Sequence, residues 1–352
     1  MTALLTTQAT RRAALAHVKH VTPADPRRAT GLVKEVYSQV ERDFGMLAPP
    51  IALHSPAPTV LAAAWAMLRE SLLAPGTVPR STKEAVAAAV SAANACPYCV
   101  DIHGATLTGL DGTPDAAAIA SDRVDDVGDP HLRSIVGWAR NPVLGSELPF
   151  PAAQLPELGG VAVVFHYINR MVSVFLQRSP LPPLPGPARR GALWIAGRVM
   201  SSLARRPVSA GAALNLLPAS SIPPDLAWAG PTRIAEALAR AYAAIEDEAA
   251  SVVPERIRCL MLTRLSEWDG MPPGISATWV DTALAGVPDD ELPVGRLVLL
   301  TAQSAYQVGN TVIADFKRHD PQDASLVAAA SWGALAAARS IGDRLPLDAP
   351  SA

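Results

Sequence analysis

Apolar positions along the chain gather into blocks of helical length, separated by clusters of proline, glycine and aspartate. In the first half these blocks predict helices over residues 31–44, 59–73 and 83–95, one carrying His103, and one over 161–176. The block at 83–95 is nearly all alanine and valine with no breaker, which predicts a helix buried on most of its sides. Residues 111–157 are rich in Asp, Gly and Pro, so loops are expected there around one or two helices, including 131–140. The stretch RSPLPPLPGPARRG at 178–191 is the clearest linker, because prolines at that density make neither helix nor sheet. A connecting helix over 192–204 and a second Pro/Ser-rich break at 217–225 follow.

The second half echoes the first. GPTRIAEALARAY (230–242) repeats the pattern of APTVLAAAWAML (57–68), and 253–280 lies over the stretch that begins VPRSTKEAV at Val78. AYQVGNTVIADF (305–316) lies over VFHYINRMVSVF (164–175). At the shift that pairs Val253 with Val78, Pro272 falls on Pro97, but Glu84 falls on Cys259, Cys96 on Met271, Cys99 on Gly274 and His103 on Thr278. The second copy keeps the helices and loses the chemistry. The expected division is a lead-in over 1–28, a first domain over 29–177, a linker with its helix over 178–225, a degenerate repeat over 226–345 and a tail over 346–352.

Composition sharpens the fold class. Hydrophobic residues make up 49% of the chain, yet aromatics only 5%, and much of the remainder is alanine. That mixture suits closely packed helices, so an all-α protein is expected. Net charge is −2 and no block of like charge occurs, which argues against nucleic acid as a partner. The N-terminal residues lack a signal-peptide core, and no uninterrupted apolar run reaches membrane-span length, so the expected location is the cytoplasm, away from membranes. Three cysteines make no disulfide scaffold; Cys259, within IRCLMLTRL, reads as a core residue.

Chemistry concentrates in EAVAAAVSAANACPYCVDIH, residues 84–103. Pro97 cannot continue the preceding helix but suits the first position of a new one, which makes Cys96 its N-cap and puts Cys99 in its first turn. Unpaired N–H groups and the helix dipole at that end favour a thiolate. His103 lies one turn beyond Cys99 on the same face. On a continuous helix Glu84 would sit roughly 18 Å from Cys96. A fold-back near residues 95–97 would instead bring it to the height of His103, giving a relay from Cys99 through His103 to Glu84.

These four positions, Glu84, Cys96, Cys99 and His103, resemble the active-site motif of the AhpD-like alkylhydroperoxidases within the carboxymuconolactone decarboxylase superfamily. Residues 36–68 resemble that superfamily's lead-in helices, and 161–176 its closing helix. The resemblance implies a helical bundle and a thiol-dependent peroxidase. In it Cys99 attacks the hydroperoxide to give a sulfenic acid, Cys96 closes a disulfide, and an external dithiol, lipoyl or thioredoxin-like, reopens it. Self-association is also implied. AhpD itself often carries histidine between the cysteines, where this chain has Tyr98.

Other readings compete with this one. The two thiols could be plain core residues, or metal ligands that would need a fourth partner, with His54 and His166 the tempting candidates; the expectation here is no metal and no cofactor. Glu84 could be a first-turn acid serving only the helix dipole, and His103 a core histidine. His166, Tyr167, Asn169 and Arg170 on the closing helix read as structural. At the level of function, the alternatives are a lyase acting on a small organic acid and a non-enzymatic redox sensor.

Overall fold

Proline placement sets the helix boundaries of this chain. In the computed structural model, which describes residues 15–141, 147–180 and 184–346, eight of the helices carry Pro at their first or second position, where its missing N–H costs nothing. The first half runs α1 (Gly31–Asp43), α2 (Pro49–Ala52), α3 (Pro58–Leu68), α4 (Arg80–Ala93), α5 (Pro97–Asp111), α6 (Pro114–Ala120), α7 (Pro130–Arg140) and α8 (Leu155–Phe175). A single π turn, Arg69–Leu73, extends α3. Then come α9 (Gly186–Ala204), α10 (Arg233–Ala249), α11 (Glu255–Ser266), α12 (Thr278–Ala283), α13 (Leu292–Ser304), α14 (Asn310–His319) and α15 (Asp323–Gly342). Among the described residues there is no strand, only one isolated bridge between Val18 and Leu176. The all-α expectation holds.

The sequence blocks fall on helices to within a few residues, with one notable exception. The expected linker reaches residue 191, but helix starts at Gly186, because Pro187 sits in the first turn and the following ARRGALW has no breaker. Much of the expected lead-in, the centre of the linker (181–183) and nearly all of the expected tail lie outside the described residues.

One hydrophobic core runs through both halves. Helix α3 packs along α10 and α8 along α15, while α4 rests on α8 as α11 rests on α15. This reciprocal arrangement is what a duplicated bundle packed on itself gives. Packing therefore makes α15 the counterpart of α8, whereas the motif comparison at 305–316 points to α14. The two longest apolar helices, Ala152–Phe175 and Asp323–Gly342, are long and apolar enough to cross a membrane, contrary to the sequence expectation. Both are core helices here, with 94% and 78% of their apolar windows buried inside the protein.

Buried charges tie the halves together. Arg69 is paired with Asp43 at 2.7 Å and with Glu70, and Glu70 also accepts from Arg233 and from the backbone of Gly211 and Ala213. Lys83 and Glu157 pair at 2.6 Å between α4 and α8. Pairs this deep are costly to break from one side, because the survivor is left desolvated.

Candidate active site

The elbow between α4 and α5 builds the site. Helix α4 ends at Ala93, Ala95 takes a left-handed φ of 49°, and the N–H of Cys96 donates to Ser91 O at 2.9 Å. Cys96 is the N-cap of α5 and Pro97 its first residue, as the sequence predicts. The reversal lays α5 back along α4, so residues nineteen apart in sequence meet. His103 Nδ1 is 2.7 Å from Glu84 Oε2, and the other oxygen, Oε1, accepts from Arg80 Nε and its terminal nitrogen at 2.9 and 2.7 Å.

Cys96 and Cys99 are free thiols with their Sγ atoms 2.9 Å apart, and both are nearly inaccessible, at 1% and 2% exposure. Burial pushes the Cys99 thiol well up, the neighbouring Cys96 adds to this, and a hydrogen bond with Asn169 opposes it. The expectation of a thiolate favoured by the helix terminus is thus reversed for the resting dithiol. Removing a charge's water outweighs the half-charge of a helix end. A base is therefore needed to ionise Cys99.

Glu84 is equipped to support that base. Burial pushes its carboxyl up, but the Arg80 guanidinium and His103 outweigh burial and hold it below the usual carboxylate range. A carboxylate accepts only, so Nδ1 of His103 donates to it and the neutral ring presents Nε2 as acceptor. The ring is also held edge-on against Phe165, centroids 4.6 Å apart.

Two cavities flank the elbow. The first, about 360 Å³, is lined mainly by apolar side chains, including Phe44, Met46, Leu68, Ile102, Phe165, Ile168 and Leu193, together with Cys99, His103 and Tyr98; Cys96 is absent from its walls. Helix α9 forms one side of it. The connecting helix of the sequence reading is therefore a cover over the dithiol helix, and the contact is close because glycines meet there: a Cβ on Gly197 would strike Ala105 O, and one on Gly109 would strike Gly197 O. Burial pushes the Tyr98 hydroxyl up, so this residue does not replace a histidine as a proton carrier near neutral pH. The second cavity, about 250 Å³, is polar and lies between the halves, touching Asn94, Ala95, Asn169 and Arg170.

The histidines weighed as metal ligands sit elsewhere. His54 is fully buried, bonded to Ile51 O at 3.2 Å and to the Tyr167 hydroxyl at 2.9 Å, and burial depresses it to about 4. Tyr167 continues to Ser331 at 3.2 Å, a polar chain that crosses from one half to the other. His166 Nδ1 meets Asn94 Nδ2 at 3.1 Å, and burial, reinforced by Arg170, holds that ring well below its ordinary value. Asn94 also donates to Asn169 Oδ1 at 3.0 Å, and Asn169 donates to Ser91 at 3.0 Å. Asn169, read from sequence as structural, thus reaches the sulfur pair. Arg80 and Asn94 carried no signal of their own in the sequence. An arginine four residues before a helical glutamate was the one available hint for Arg80.

Cys259 corrects the sequence reading: it is exposed, with its thiol 3.5 Å from Glu255 on the outer face of α11. Hydrogen bonding to that carboxylate pushes the thiol up.

Against known proteins, the pattern of the Carboxymuconolactone decarboxylase family matches residues 60–141, a span from α3 to α7 that includes Glu84, both elbow cysteines and His103. The chain is 39% identical over 333 residues to Alkyl hydroperoxide reductase Rv2159c of Mycobacterium tuberculosis, covering 92% of this chain and 94% of that protein. That likeness extends through the second half. A crystal structure described as an alkylhydroperoxidase AhpD core, an uncharacterized peroxidase-related protein from Ralstonia eutropha JMP134, aligns over 51% of this chain and 96% of its own at 18% identity and a TM-score of 0.42.

Proposed function

Because the chain belongs to the AhpD-like group of the carboxymuconolactone decarboxylase superfamily, we propose that it is a thiol-dependent alkylhydroperoxidase whose catalytic residues are Cys99, Cys96, His103 and Glu84. One observation carries the reading. Of the two touching thiols only Cys99 faces the apolar cavity, and the imidazole one turn along lines the same cavity while a buried carboxylate holds its far nitrogen.

In the proposed cycle His103 Nε2 takes the Cys99 proton, and Glu84 stabilises the imidazolium that results. The thiolate attacks the terminal peroxide oxygen, the O–O bond breaks, and the alkoxide leaves as alcohol with the proton from His103. Cys99 is now a sulfenic acid. The Cys96 sulfur, 2.9 Å away, attacks it, water leaves, and a disulfide closes with only a small further approach of the two sulfurs. An external dithiol, lipoyl or thioredoxin-like, restores both thiols by exchange. The cavity's apolar walls support an organic hydroperoxide as substrate. We place the enzyme in the cytoplasm, self-associating, with the second half supplying to the first the contacts that a partner copy supplies in single-domain relatives.

The deciding measurement is hydroperoxide consumption with dihydrolipoamide as reductant. Cys99→Ser is expected to abolish turnover, and Cys96→Ser to reduce one equivalent of peroxide and stop at the sulfenic acid. Undiminished turnover by the Cys99→Ser protein would overturn the assignment. The lyase alternative gives the paired thiols no task; muconolactone turnover that survived loss of both would establish it.

A further inference from the structure

The polar cavity between the halves contains a buried charge with no counter-charge. Arg170, only 7% exposed, donates from Nε to Ala302 O at 2.7 Å and from one terminal nitrogen to His166 O at 2.6 Å, and its guanidinium lies 5.6 Å from the Trp268 ring centroid. Among the described residues no carboxylate pairs with it, and its second terminal nitrogen has no hydrogen-bond partner. Burial alone depresses it to about 10, with no acid opposing the shift. It remains a cation at neutral pH, desolvated and uncompensated, which is the costly state for a charge.

The remaining walls complete the picture. Ser304, 2% exposed, lines the same cavity, and its hydroxyl has no partner. Arg140, also in the wall, is held in a bidentate pair by Asp122 and adds no free negative charge. No Asp or Glu lines the cavity. A hollow of about 250 Å³ with a bare guanidinium and an idle hydroxyl is the complement of a small anion that accepts from both.

We infer that this cavity is a binding site for a small organic carboxylate, seated on Arg170 and Ser304. The planar guanidinium suits a carboxylate, and the hollow is large enough for a short carbon chain behind it. Ala95 and Asn169 also form part of the wall, so the ligand lies one residue from Cys96 and one hydrogen bond from Cys99, on the side of the elbow away from the apolar cavity. The site does not depend on the peroxidase reading, since binding is measured without turnover.

The test is isothermal titration calorimetry of the full chain with succinate at constant ionic strength, with inorganic phosphate as the second arm. Saturable succinate binding is expected, weakened at least tenfold by Arg170→Gln and at least threefold by Ser304→Ala, and unchanged by Cys259→Ala. Because Arg170 also ties the halves through Ala302, the Ser304 variant keeps the test decisive if the Arg170 variant folds poorly. Binding of phosphate without succinate would overturn the carboxylate assignment. Binding of neither would leave Arg170 as a strut between the halves and overturn the site.

Discussion

The two elbows of the molecule share a backbone and differ in what that backbone is used for. A shift of 175 residues sets the start of α11 on the start of α4, each preceded by proline, and sets Gly270 on Ala95; both take positive φ, 86° and 49°. The reversal of the chain is thus kept in both copies. In the first, Arg80 and Glu84 pair across one helical turn and Glu84 holds His103, all but sealed from water. In the second, the same two positions are Glu255 and Cys259, an exposed acid and thiol, and no imidazole follows. Pro272 stands where Pro97 begins α5, yet helix resumes only at Thr278. A left-handed residue and a proline suffice to turn the chain. Holding a buried carboxylate in the turn also needs a cation beside it and a donor opposite.

Substitutions that treat the two elbows alike should separate them. The largest effect is the loss of turnover in Cys99→Ser, on the order of 10²-fold or more because the nucleophile itself is removed. Next, Glu84→Gln strands the Arg80 guanidinium and leaves His103 without an anionic acceptor. Peroxidase activity should fall roughly 10- to 100-fold and stability by about 3 kcal/mol in urea unfolding, whereas Cys259→Ala at the matching position should stay within about 0.5 kcal/mol of the parent. Equal costs at both positions would remove the distinction between the elbows.

Gly197→Leu tests the cover that α9 provides over the active elbow. Its side chain would drive into Ala105 O, so α9 should lift from α5, with about 1–3 kcal/mol of stability lost and faster alkylation of Cys99 by iodoacetamide. Unchanged alkylation would mean that α9 does not control access.

Acid should also act on the first half before the second, whose single histidine, His319, is exposed. His54 titrates near 4 when folded against an ordinary 6.5, so the unfolded chain binds more protons between those values. Its contribution is present above pH 6.5 and is lost as pH falls toward 4, on the order of 3 kcal/mol. His166 acts in the same direction, and Glu84 adds its own loss below its ordinary 4.5. Urea midpoints between pH 7 and pH 4 measure the sum; a flat profile would contradict the burial of these groups. The smallest effect is expected from Ala95→Gly, which grants the first elbow the residue used by the second and should stabilise by about 0.5 kcal/mol.

Much of this was legible in the sequence because it depends on near neighbours. The CPYC start of α5, the burial of the alanine-rich α4 and the positions of helix ends follow from proline geometry and from apolar runs, which act over a turn or two. The cysteine pair and His103 were legible for the same reason. Glu84 could be placed against His103 only by supposing the fold-back, and Arg80 gave no sign beyond its spacing. Cys259 was misread because its apolar neighbours suggest burial, while α11 in fact turns that face outward.

The sequence by itself determined an all-helical chain, its internal echo and the thiol chemistry of one elbow, since each rests on interactions between residues close in number. Only the tertiary structure decided that burial raises the Cys99 thiol, that α9 covers the dithiol helix, and that Arg170 sits uncompensated between the halves. Desolvation and pairing of charges are set by whatever packs around a group, and those neighbours come from elements scores of residues away.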